Sequence, residues 1–150
     1  MFGTNENEFA HFYRMVDEGH ALGALAEMER QYDGAPKAPL GRGLYALLHA
    51  EERGMIGQAL TLIHEAIDEA PDKLDLHLFH ARIHLKAGEK KAAIEAYRWG
   101  LEHLPDEPAL LAALDKMGVR RRPVFASLPR SHPVNIFFGK VRARLMGPKP

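Results

Sequence analysis

Three histidines, His77, His80 and His84, fall at i, i+3 and i+7. On a helix this spacing sets three imidazoles along one face. Imidazole nitrogens bind Zn²⁺ or Ni²⁺, so the first chemistry to weigh is metal binding. No clear carboxylate ligand stands beside them, and the chain has no cysteine. The competing reading is packing inside a helix–helix interface, with ring nitrogens bonded to backbone carbonyls. Such a contact would loosen as the imidazoles protonate near their ordinary pKa of about 6.5. Packing is preferred, and no metal or other cofactor is expected.

Other candidates for chemistry are weaker. Glu51-Glu52 and Asp68-Glu69 are adjacent pairs. On a helix neighbours diverge, so these read as solvated faces. Gly41 and Gly43 sit in Leu40-Gly41-Arg42-Gly43-Leu44, with no strand before them. A phosphate-binding loop is therefore not expected. Ser127 and Ser131 have no placed base and acid. Nucleophile, base and oxyanion donors are not assembled, and the chain reads as non-catalytic.

The elements that carry these residues repeat. Gly19, Gly54 and Gly88 are spaced by 35 and 34 residues. Five residues after each comes Ala24, Ala59 or Ala93, and then Leu25, Leu60 or Ile94. Seventeen residues after each glycine comes Pro36, Pro71 or Pro105. Glycine can end a helix in the left-handed conformation without a Cβ penalty. The alanines let two helix backbones approach, and Met28, Ile63 and Tyr97 follow on the same face. Proline then stops the second helix. The predicted helices are 5–18, 21–33, 41–53, 56–69, 74–87 and 90–104. A seventh starts near Asp106-Glu107-Pro108, with proline suited to the first turn, and stops at Met117-Gly118.

This pattern resembles the tetratricopeptide repeat family. Units of about 5–36, 40–73 and 74–107 carry the resemblance, with a solitary helix over 107–117 completing a domain of 5–118. The most family-like unit is 74–107, through Ala81, Gly88, Ala93, Ile94, Tyr97, Gly100, Leu101 and Pro105. The resemblance implies an all-α fold, a right-handed superhelix of helix hairpins, and a non-catalytic adaptor or scaffold. Its first helices would line a groove for a peptide or helix of another protein, one carrying some negative charge. Slot by slot, that lining would be Phe9, Tyr13, Val16, Leu44, Leu48, Leu78, Arg82, Leu85, Lys86 and Lys116. Glu51 and Ala112 would stand beside them. The competing reading buries Phe9, Tyr13 and the leucines beneath the N-terminus or the C-terminal tail. Some family members grip a carboxylate tail with a basic and amide clamp. Phe9 and Tyr13 occupy those slots here, so no such clamp is expected.

Net charge is zero, but it is unevenly placed. Residues 1–115 hold all 20 acids and 11 Lys/Arg, a balance of −9. Residues 116–150 hold 9 Lys/Arg and no acid. Such asymmetry points to an anionic contact for the tail, internal or external. Residues 119–133 contain three prolines and read as an extended connector. Residues 134–146 read as an amphipathic helix with Val134, Phe137, Phe138, Val141 and Leu145 on one stripe. Arg120, Arg121, Arg122 and Arg130 of the connector and Lys140, Arg142 and Arg144 of the helix make the tail basic. The preferred role is a cap on the repeats, because terminal repeats need a polar outer face. The alternative is docking on an anionic membrane surface. Nucleic acid is disfavoured because the aromatics lie on the apolar stripe. Self-association is left open. Neither a membrane-spanning run nor a secretory signal is read, which favours the cytoplasm.

Overall fold

A computed structural model of the chain describes residues 3–119, with the backbone alone for 3–7. The described residues form seven helices and no strand: α1 (Gly3–Asp17), α2 (Ala21–Tyr32), α3 (Pro39–Arg53), α4 (Ile56–Glu69), α5 (Leu74–Lys86), α6 (Lys90–His103) and α7 (Pro108–Lys116). The chain divides into two compact units, residues 1–104 and a second beginning at Pro105.

The first unit contains three helix hairpins, α1–α2, α3–α4 and α5–α6. Gly54 ends α3 at φ +67°, and its N–H is bonded to Ala50 O. Gly88 makes the corresponding turn after α5 at φ +77°. A side chain at either position would strain the backbone, so glycine sets where each hairpin folds back. Gly19 repeats the conformation in the first hairpin. Ala24, Ala59 and Ala93 are fully buried, as close helix approach requires.

α3 starts at Pro39, two residues before the predicted position, with proline in its first turn. A proline N–H is not needed there, and its fixed φ suits the helix. α3 packs against α1, α2, α4 and α5. Consequently Gly43 to Ala50 are all buried. Two glycines make room for this crowding. A Cβ on Gly41 would run into the Phe9 ring, and one on Gly43 would run into Leu76. The core around α3 includes Phe9, Phe12, Leu25, Met28, Leu44, Leu48, Ile63, Ile67 and Leu76, each at most 1% exposed. Burying each such side chain contributes about 1.5–3 kcal/mol of transfer free energy.

In the second unit α7 also begins on proline, Pro108, and Leu110 and Leu114 are buried. Gly118 follows the helix at φ +78°. The predicted connector 119–133 lies outside the described residues beyond Val119, as does the predicted helix 134–146. Whether a cap covers the repeats therefore rests on residues outside the described set.

Candidate functional site

Two surfaces of the first unit hold the residues singled out from the sequence, and both depend on α5. Its residues divide between a face packed on α3, α4 and α6 and a face turned away from them. Leu76, His77, Phe79, His80, Ala81 and Ile83 are buried, whereas Arg82, Leu85 and Lys86 are exposed.

The predicted groove lining separates into two sets. Phe9, Leu44 and Leu48 are at most 1% exposed and belong to the core. They offer no surface to a partner, a correction to the slot-by-slot assignment. The physical reason is local. Gly41 admits the Phe9 ring, and α3 is contacted by four helices, which removes the free face that Leu44 and Leu48 would have occupied. Tyr13 and Val16 are half-buried. The Tyr13 hydroxyl donates to Asp75 Oδ2 at 3.1 Å, and its ring lies 6.1 Å from Phe79, so it ties α1 to α5. Leu78 is half-buried and Leu85 is 42% exposed. Arg82 is exposed but engaged: its Nη2 lies 2.6 Å from Glu51 Oε1 on α3. Lys116 is exposed and belongs to the second unit.

An open groove of about 560 Å³ lies between α1 and the start of α5. Tyr13, Leu40 and Leu74 give it apolar surface. Arg14, Asp17, Asp72 and Asp75 charge its walls. Sequence slots missed this groove because its floor comes from helix ends, Leu40 on the first turn of α3 and Asp72–Leu74 before and at the start of α5.

The histidine face is turned inward, as the packing reading expects. His77 is fully buried, and its Nε2 lies 2.8 Å from Pro71 O. The carbonyl can only accept, so His77 carries its proton on Nε2. His80 Nε2 lies 3.0 Å from His64 Nε2 on α4. His84 Nδ1 lies 2.7 Å from Glu89 Oε2 in the turn. Trp99 of α6 stands among His64, His77, His80 and His103, with ring centroids 5.6–6.1 Å away. It is packed within the hairpin rather than turned outward. Burial, and then the neighbouring imidazoles His64, His84 and His77, pushes His80 down to about 3. His64 and His77 are lowered too, each chiefly by burial. The sequence did not flag His64 or Glu89 as neighbours. His64 arrives from the preceding hairpin, and Glu89 only meets His84 because the chain reverses at Gly88. Among the described residues no three His, Asp or Glu side chains are placed to hold a metal ion.

The basic-tail residues Arg120, Arg121, Arg122, Arg130, Lys140, Arg142 and Arg144 lie outside the described residues. Among the described residues no helix is long and apolar enough to cross a membrane.

Searches of curated proteins and of solved structures gave no match. The model of the tetratricopeptide repeat family matches residues 50–117, from the end of α3 through α7. Repeats of this family generally mediate protein–protein interaction and are typically non-catalytic. The matched span holds the features that build the hairpins: the left-handed turns at Gly54 and Gly88, the buried Ala59 and Ala93, and the helix stops at Pro71 and Pro105. Over residues 50–117, just under half of its length, the chain is similar to the tetratricopeptide repeat family.

Proposed function

We propose that the protein is a scaffold that holds a peptide or helix of a partner protein against the outer face of α5 and the groove beside α1. The observation that supports this reading most is the groove of about 560 Å³, which joins apolar surface to charged walls on packed helices. A recognition site of this kind needs a few apolar contacts for affinity and a few charges for orientation. Leu78 and Leu85 extend the apolar contact along α5. Arg82 and Lys86 select acidic residues of the ligand, with Glu51 holding the Arg82 guanidinium in place. Packed hairpins keep these groups ordered before binding, which lowers the entropic cost of association.

The test is affinity capture with the full chain and two variants, Leu85→Glu/Lys86→Glu on α5 and Leu74→Glu in the groove. Both sets of changes are at half-buried or exposed positions, and circular dichroism checks that the variants remain helical. The expected result is a loss of captured proteins relative to the unchanged chain. Identical captured sets for all three proteins would reject this surface. Isothermal titration of a captured partner's peptide should then show at least tenfold weaker binding to the variants.

A further inference from the structure

Three helices bring five histidines together: His64 from α4, His77, His80 and His84 from α5, and His103 from α6. The indole of Trp99 lies at their centre. His77 and His103 stack at 5.6 Å, and His80 and His84 are 5.0 Å apart. What matters is how few protons this arrangement can accept. A hydrogen bond between His64 Nε2 and His80 Nε2 needs one N–H and one lone pair. Their 3.0 Å separation therefore accommodates one proton between them, not two.

The other nitrogens give no outlet. The Nδ1 atoms of His77 and His80 are buried and have no hydrogen-bond partner among the described residues. Neutral His77, with its proton on Nε2, leaves only a lone pair at Nδ1. Protonating it would place a charged N–H where nothing accepts it. His80 has the same difficulty at Nδ1. A buried charged donor without a partner is among the costliest groups in a protein.

We propose that this cluster is an acid-sensitive joint between the second and third hairpins, closed while His77 and His80 are neutral and opened when either takes up a second proton. The charged groups on the surrounding elements do not reach the buried Nδ1 atoms of His77 and His80. On α4, Asp68 lies near His64 and favours its charged form. In the turn, Glu89 is occupied by His84. On α3, Glu51 is engaged by Arg82 and Arg42 by Glu69 of α4. On the α1 side, Asp75 accepts from Tyr13. No carboxylate among these makes a hydrogen bond to His77 or His80.

The sign follows from the direction of the pKa changes. Burial holds His64, His77 and His80 below the ordinary histidine value, His80 at about 3. The closed joint thus excludes protons that an opened one takes up. Its stability is complete above about pH 6.5 and is lost progressively as the pH falls toward the folded values. Each excluded proton lowers the closed-to-open ratio by about tenfold per pH unit in that interval. α5 carries both the imidazole face and the Leu78–Lys86 face, so opening would also displace the proposed partner contact. The joint itself does not depend on that contact being real.

Trp99, the single tryptophan of the chain, reports on the joint directly. The experiment follows its fluorescence and the far-ultraviolet helical signal of the full chain from pH 7.5 to 4. Expected is a red shift of emission below pH 6.5 while helical signal is retained. His64→Gln keeps an amide donor at an exposed position but cannot titrate, and should move the midpoint down by about one pH unit. His11→Gln, on exposed α1 surface, should leave it unchanged. Superimposable curves for the unchanged chain and His64→Gln would overturn the proposal. So would an emission change that coincides with loss of helix, which would mark general acid unfolding. Nitrogen-15 spectra of the imidazoles give a second reading that needs no variant. At pH 5 the closed form should keep His80 neutral and His77 protonated on Nε2 alone. A charged His80 in a closed joint would reject the idea.

Discussion

The joint between the first and second hairpins and the joint between the second and third use one device and differ in what surrounds it. In both, a glycine of α3 receives a bulky side chain: Phe9 at Gly41 and Leu76 at Gly43. Around the first, Phe12, Leu25 and Met28 complete an apolar seam. The polar groups at its rim come with a counter-charge. Arg53 clasps Glu29 with two bonds of 2.6 and 2.7 Å, and His49 Nε2 lies 3.4 Å from the same carboxylate. The Arg53 guanidinium, through that hydrogen bond, lowers the Glu29 carboxyl below its usual range. Around the second, Glu89 meets His84 and Asp68 lies near His64, but His77 and His80 face imidazole and indole. At the first joint His49 stands beside Glu29; at the second the buried His77 and His80 stand beside other histidines and Trp99. Packing density alone does not fix how a joint responds to solution conditions. The titratable groups chosen to fill the rim do.

The comparison can be broken most forcefully at the glycines. Gly43→Val would press on Leu76 and on Ile63, both fully buried and without space to retreat. The expected cost is about 1–3 kcal/mol in urea unfolding, the usual range for overpacking. Gly41→Val should cost a similar amount, and a negligible change in either would mean that the matching joint is loose. A smaller effect, but a sharper one, comes from His77→Leu. At pH 7.5 it loses the bond to Pro71 O and should be less stable by about 1 kcal/mol. Below pH 6.5 the gap should narrow, because the unchanged chain must exclude a proton from His77 and the variant need not. A gap that stays constant from pH 7.5 to 5 would remove His77 from the acid response. The smallest effect is expected from Arg53→Met at the first joint. Its ion pair is at the surface, so the melting temperature should fall only slightly, and less in high salt. Acid sensitivity of Trp99 emission should be untouched by this change, which would separate the two joints cleanly.

The hairpin frame was readable because it is local. Gly54 and Gly88 are where the backbone must turn left-handed, and Ala59 and Ala93 are where two helices must touch. Both requirements restrict the residue type at a single position, so they leave a mark at fixed spacing. The inward placement of His77 and His80 was readable for the same reason: one helix sets their face. Phe9, Leu44 and Leu48 were misread because exposure of a helix face depends on how many other helices reach it. That number is a property of the assembled unit and leaves no local mark on α3. His64 and Glu89 escaped notice because each meets its partner only after the chain has folded back. Leu40 and Leu74 were overlooked as groove residues because they stand at helix starts, where the repeat pattern assigns no contact.

The paired fit of Gly41 with Phe9 and of Gly43 with Leu76 constrains how this sequence can change. Space at one member is matched by bulk at the other, on a different helix. A larger residue at Gly43 alone overfills the site, and a smaller one at Leu76 alone leaves a void; each single step is destabilising. The two changes made together exchange volume between helices and can preserve the total. Substitutions at these positions are therefore coupled rather than additive. At α3 the chain must change by pairs.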